Sequence, residues 1–171
     1  MRVSLIKSND DKITFPYTPN VSVGATVSYS DYDVVHTNYP INAFQKSRPN
    51  NIIISAPLYN QDQDEVKTTM QILNFLAVNS KMEFGTTGAP PPILRFVGPN
   101  KFAGSYVPVV IVSYNISYPN EPDYVTIDNE NYFPTEMTVN VELSPQYSAS
   151  AQAGFDINSF SEGTLYSGGY I

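Results

Sequence analysis

Proline is the feature that most limits what this chain can fold into. Fourteen prolines occur among 171 residues, and each one fixes a backbone dihedral angle and removes a hydrogen-bond donor. That frequency disfavours long helices and favours many loops and edge strands. Thirteen tyrosines and nine phenylalanines point the same way, because aromatic residues suit half-buried sheets and interfaces. The sequence therefore predicts a mainly β fold, a β-sandwich or partly open barrel with long loops.

Five stretches have the composition of β-strands. They are residues 21–29, 51–59, 93–97, 107–118 and 137–143. In the last of these, apolar and polar residues alternate strictly from Met137 to Leu143. This period of two predicts a strand with one buried face and one polar face.

Only one segment has the pattern of a helix, over about residues 62–82. Asp62 and the acidic residues that follow it favour a helix start, because they cap free backbone N–H groups and complement the helix dipole. Apolar residues then recur at helical spacing at Val66, Met70, Leu73 and Ala77. Gly85 is the predicted stop. We expect this helix to pack on the sheet.

Three segments fit neither pattern. Residues 30–50 and 119–134 are long, polar and aromatic, and we predict loops there. A loop of that length is unusual in a compact domain unless it reaches a neighbouring molecule. The residues after Pro145 are mostly small and polar. We therefore predict one domain over residues 1–148 and an extension over residues 149–171 that is ordered by partners.

The charge balance excludes several classes of partner. The chain has 9 basic and 16 acidic residues, a net charge of −7, and tight binding to DNA or RNA needs clustered Lys and Arg. An acidic surface instead suits a wall that DNA slides past. No apolar stretch reaches the length of a membrane span. We expect a protein made in the cytoplasm that does not contact a membrane.

Candidate catalytic groups are few. His36 is the only histidine and there is no cysteine, so the usual zinc ligands are missing. The pairs Asp31/Asp33 and Asp128/Glu130 resemble the two carboxylates of a glycosidase, but acidic residues in loops are usually just solvated. We therefore predict that the chain is not an enzyme and has no catalytic residues, cofactor or metal.

A series of short segments, in order along the chain, carries a family resemblance. They are residues 15–19 (FPYTP), 29–32 (YSDY), 36–40 (HTNYP), 75–85 (FLAVNSKMEFG), 88–92 (GAPPP), 107–110 (VPVV), 123–125 (DYV), 132–135 (YFPT), 145–148 (PQYS) and 155–160 (FDINSF). Over residues 13–163 the chain resembles the tail-tube-like domain of baseplate tube-initiator (tube-cap) proteins of contractile-tailed bacteriophages. Members of that family are larger and carry extra sequence before this domain.

The resemblance implies a structural virion protein with a tail-tube-like fold. Copies of the chain would form a hexameric ring at the baseplate end of the tail tube. The ring would dock on baseplate hub proteins, template the first ring of tail tube protein, and let DNA pass through its lumen without specific binding. Aromatic residues of the two predicted loops would carry the subunit contacts. The residues predicted for this interface are Tyr32, His36, Tyr39, Phe44, Tyr132 and Phe133.

Two alternatives stay open from the sequence. One is the major tail tube subunit, which would be present in many stacked rings and not in one. The other belongs to a different class, a tyrosine-rich β-sandwich that binds carbohydrate as part of a receptor-binding module. Such a module would need exposed aromatic and acidic residues in one concave patch.

Overall fold

The computed structural model describes residues 2–9, 11–32, 35–39, 41–85, 88–128 and 131–171. The strands are β1 (Ser4–Ile6), β2 (Lys12–Thr14), β3 (Asn20–Ser22), β4 (Ala25–Tyr32), β5 (Ile41–Pro49), β6 (Ile52–Tyr59), β7 (Leu94–Val97), β8 (Val107–Ser117), β9 (Tyr124–Asp128), β10 (Asn131–Pro134) and β11 (Glu136–Pro145). The helices are α1 (Gln63–Asn79), α2 (Ala149–Ala153) and α3 (Ile157–Ser161), with 3₁₀ turns at Lys101–Ala103 and Leu165–Gly168. The predicted mainly β class is confirmed.

One large antiparallel sheet organises the molecule. Within the described residues it has seven strands, in the order β2-β1-β7-β8-β11-β6-β3, and it does not close into a barrel. Alternate residues of β6 and β11 point into the core and are completely or almost completely buried. They are Ile52, Ile54, Ala56 and Leu58 on β6, and Met137, Val139, Val141 and Leu143 on β11. Each of these side chains except the small Ala56 contributes roughly 1.5–3 kcal/mol through removal from water.

Helix α1 covers the core face of the sheet. Its start is capped by Asp62, whose carboxylate accepts the backbone N–H groups of Asp64 (3.0 Å) and Glu65 (2.9 Å). Ile72 and Leu76 are buried against the strands. The helix ends at Asn79, whose side-chain amide donates to the Phe75 carbonyl (2.8 Å), so the end lies before the predicted Gly85. The predicted helix is confirmed apart from this shorter C-terminal end.

The prediction of loops over residues 30–50 and 119–134 is wrong. β4 and β5 form an antiparallel hairpin, and β9 and β10 form a second one. The first hairpin was not predicted because most of its residues are exposed on both faces. Its sequence therefore has no alternation between buried and solvated positions. The strand predicted over residues 21–29 is also divided, because β3 ends at Ser22 and β4 begins at Ala25.

Residues 149–171 fold back on the sheet near the start of β8, where Gly169 lies close to Tyr106 and Pro108. The Tyr147 hydroxyl donates to the Gly169 carbonyl (2.9 Å), and the Tyr147 and Tyr170 rings stack at 5.7 Å. Gly169 has a φ of 89°, and a Cβ there would lie 2.7 Å from the Tyr106 carbonyl. Burial raises the pKa of Tyr147 to about 12. The domain boundary at residue 148, and the dependence of this segment on a partner, stay predictions.

Candidate assembly surfaces

The hairpin of β4 and β5 continues two strands of the sheet beyond its end. β3 passes into β4 through residues 23–24, and β5 passes into β6 through residues 50–51. At this junction the Asn50 N–H donates to the Gly24 carbonyl (2.8 Å), and the Thr26 hydroxyl donates to the Asn50 side chain. β4 and β5 nevertheless form a sheet of their own. We call this element the projecting hairpin, residues 25–49.

Large apolar side chains are exposed along the projecting hairpin. The exposed fractions are 46% for Val27, 58% for Tyr29, 56% for Ile41 and 61% for Phe44. The rings of Tyr29 and Phe44 meet edge to face across the two strands, with centroids 6.0 Å apart. A lone two-stranded hairpin is marginally stable in water, and clustered exposed apolar groups mark an interaction surface. The projecting hairpin therefore has the character of an unpartnered contact element.

The structure divides the predicted interface residues into two groups. Tyr32, His36, Tyr39 and Phe44 all belong to the projecting hairpin or its tip, and all four are exposed. His36 has a φ of 70°, in the left-handed region that turns use. Tyr132 and Phe133 lie instead on β10. Because β6 starts beside the projecting hairpin and ends at Tyr59 near β10, the two groups lie at opposite ends of the sheet.

A buried asparagine attaches the second hairpin to the helix and the sheet. Asn60 is completely buried, its side-chain amide donates to the Pro134 carbonyl (3.0 Å), and its side-chain oxygen accepts the Thr69 hydroxyl (2.6 Å). Tyr132 is exposed on this hairpin, whereas Phe133 packs against the core. Sequence reasoning missed Asn60, because a polar residue just before a helix cap ordinarily lies on the surface.

β8 has a long free margin. It is eleven residues long, but β7 pairs only with Val107, Pro108 and Val109. Along residues 110–117 the same margin has no strand partner in the described part of the chain. This stretch (VIVSYNIS) contains no charged residue or proline, which are two usual protections of exposed edges, although it carries a third, a β-bulge at Val112. β2 and β3, at the two ends of the strand order, are each three residues long.

The candidate acid–base groups do not form a site among the described residues. His36 and Asp31 are exposed on the projecting hairpin, and Asp33, Glu130 and the side chain of Asp128 lie outside the described residues. In the described ranges no three His, Asp or Glu side chains are grouped to hold a metal ion. The cleft between the projecting hairpin and residues 146–171, about 1000 Å³, has Arg48 as its one charged side chain.

The comparisons with known proteins find similarity only among solved structures, where several chains match. No protein-family profile and no curated protein sequence matches the chain. A chain in the cryo-EM structure of the anti-feeding prophage (AFP) baseplate, 6-fold symmetrised, is similar over 85% of this chain and 87% of that chain, with 10% identity and a TM-score of 0.43. No helix among the described residues has the length and apolar character needed to span a membrane.

Proposed function

We propose that this chain is a structural, non-enzymatic subunit of a phage-type tail that joins copies of itself, sheet margin to sheet margin, into a closed ring at the baseplate end of the tube. The observation that carries the proposal is the pair of free margins on one sheet. Asn20 of β3 pairs with Ser55, Ser55 pairs with Asn140, and Asn140 pairs with Asn115 of β8.

The two margins therefore lie on the same cross-strand row, at opposite sides of the four strands β8, β11, β6 and β3. A contact between two different margins is head-to-tail, and such a contact either closes into a ring or grows into a filament. Backbone pairing between copies gives the β8 margin the hydrogen bonds that its own chain does not supply. The projecting hairpin lies next to β3 and brings its exposed aromatic residues to the same contact.

The face of these four strands opposite α1 suits the wall of a channel. One row across it is Asn115, Asn140, Ser55 and Asn20, all small or polar. The only charged residue of the next row is Glu142, which accepts hydrogen bonds from Asn51 (2.8 Å) and Ser113 (3.2 Å). Over the four strands this face has no Lys or Arg side chain, so it has no positive charge that would bind DNA phosphates.

The family resemblance supplies the finer parts of the proposal. It gives six copies per ring, docking on baseplate hub proteins, and the templating of the first ring of tail tube protein. It also places the chain in the virion after assembly in the host cytoplasm. The major tail tube subunit remains the alternative within the same class, and copy number per virion separates one ring from many.

The free margin can be tested with two matched lysine substitutions. Val112 and Ile53 are about half exposed (53% and 51%), but Val112 lies on the free part of β8 and Ile53 lies on an inner strand. We expect the purified wild-type chain and Ile53→Lys to form rings by native mass spectrometry and negative-stain electron microscopy. Val112→Lys should stay monomeric with an unchanged circular dichroism spectrum, because a charged edge resists strand pairing. Rings of Val112→Lys as abundant as those of the wild type would refute the proposal.

A further inference from the structure

Acidic residues are concentrated at one end of the sheet, around the start of α1 and the hairpin of β9 and β10. Residues 60–69 and 117–137 contain eight of the sixteen acidic residues and one of the nine basic residues, a net charge of −7. The rest of the chain has eight of each and is neutral. We call the described part of these segments, residues 60–69, 117–128 and 131–137, the acidic end. Its one lysine, Lys67, is bound to Asp64 at 2.9 Å and lowers the pKa of that carboxyl group.

Backbone and side-chain contacts hold the two segments of the acidic end together. The Asn60 N–H donates to the Thr135 carbonyl (2.7 Å), and the Thr135 N–H donates to the Asp123 carbonyl (2.8 Å). The capped start of α1 therefore lies beside the hairpin of β9 and β10. Glu121, Asp123 and Glu136 are exposed there. None of these three has a cationic partner within the described residues.

An aromatic and proline groove lies within the second segment of the acidic end. Its lining residues are Tyr118, Pro119, Pro122, Tyr124, Tyr132, Phe133 and Pro134. Tyr118, Tyr124 and Tyr132 are between 55% and 64% exposed. Tyrosine faces attract the cations of Lys and Arg side chains, and carboxylates attract the same cations. The groove thus combines the two features that recognise a basic, partly apolar protein segment.

We propose that the groove at the acidic end is a docking site for a basic segment of a different protein, one that carries Lys or Arg alternating with apolar residues. A net charge of −7 repels phosphate groups, so nucleic acid and anionic lipid are unsuitable occupants. A second copy of this chain is a weaker candidate, because the rest of its sequence has no excess of basic over acidic residues. The groove adjoins the end of the β8 margin, because Tyr118 directly follows Ser117, but the proposal does not depend on ring formation.

The test uses a synthetic peptide, (Lys-Tyr-Arg-Leu)₃, and a charge-reversed peptide in which Glu replaces each basic residue. We expect the first peptide to bind the wild-type chain and the monomeric Val112→Lys chain, with NMR shifts centred on the groove. The triple variant Glu121→Gln, Asp123→Asn, Glu136→Gln should bind roughly tenfold more weakly, as for three exposed ion pairs. The variant Tyr124→Ala, Tyr132→Ala should also weaken binding, and the charge-reversed peptide should not bind.

The matched control removes the same charge elsewhere. Asp11, Glu83 and Glu162 are exposed and lie outside the acidic end, so Asp11→Asn, Glu83→Gln, Glu162→Gln should keep nearly all peptide affinity. Equal weakening by the two triple variants would mean that net charge alone attracts the peptide, and would overturn the proposal. Glycan binding at the groove without peptide binding would also overturn it. So would self-association that only the acidic-end triple variant abolishes, because the occupant would then be a second copy.

Discussion

Replacing Asn60 with Ala should destabilise the protein more than any surface change, because one side chain serves the buried Thr69 hydroxyl and the partly buried Pro134 carbonyl. The substitution removes the hydrogen bonds to the Pro134 carbonyl (3.0 Å) and from the Thr69 hydroxyl (2.6 Å). Thr69 is 1% exposed, so its hydroxyl is left without water or a partner. Each unsatisfied group costs about 1–3 kcal/mol. We expect the free energy of unfolding to fall by roughly 2–5 kcal/mol, out of a typical total of about 5–15 kcal/mol.

Urea unfolding followed by circular dichroism measures this loss directly. Thr69→Val is the matched partner, because it keeps the shape of the side chain and leaves the Asn60 oxygen unsatisfied, at a cost of about 1–3 kcal/mol. The double variant Asn60→Ala, Thr69→Val should cost less than the sum of the two by about 0.5–3 kcal/mol, since both remove one shared bond. A loss below about 0.5 kcal/mol for Asn60→Ala, the range of ordinary surface changes, would refute the reasoning.

The site of the loss is also predictable. Hydrogen exchange of Asn60→Ala should accelerate first in β9 and β10, because Pro134 and Thr135 connect that hairpin to the rest of the fold. The central strands β8 and β11 should keep their protection relative to global unfolding. Uniform acceleration over the whole sheet would show that Asn60 supports the global core and not this attachment.

Three further changes have definite expected outcomes. Replacing Tyr39 and Phe44 with Ala should abolish rings in electron micrographs while the monomer keeps its thermal transition, because both side chains are exposed. Leu76→Ala, at a completely buried position of α1, should lower the free energy of unfolding in urea by about 2–5 kcal/mol. The Tyr147 ring should titrate by NMR near pH 12 and not near its ordinary value of 10. Because its pKa is raised on folding, its contribution to stability is complete below pH 10 and is lost as the pH rises towards 12, and Tyr147→Phe should remove that step.

The sequence predicted the elements whose patterns are set by one buried face. Met137 to Leu143 alternates because every second residue enters the core, and α1 follows a capped start with apolar residues at helical spacing. The projecting hairpin has no such face, so no hydrophobic period of two marks its strands in the sequence. β1 and β2 were missed because three residues are too few to establish a period. The free margin of β8 could not be predicted, because it depends on the shortness of a different strand, β7.

The described surface has three regions that can contact other molecules: the β8 margin, the projecting hairpin and the acidic end. Each region suits a different kind of partner. The margin along residues 110–117 offers backbone groups and no charge, so another strand is its natural complement. The projecting hairpin offers aromatic area without a supporting layer, so it gains most from burial against a neighbour that is already ordered. The acidic end instead repels a copy of itself, which keeps identical ends apart while identical chains join side by side. This division of charge and apolar surface favours lateral self-assembly and leaves the acidic end for a different, basic protein.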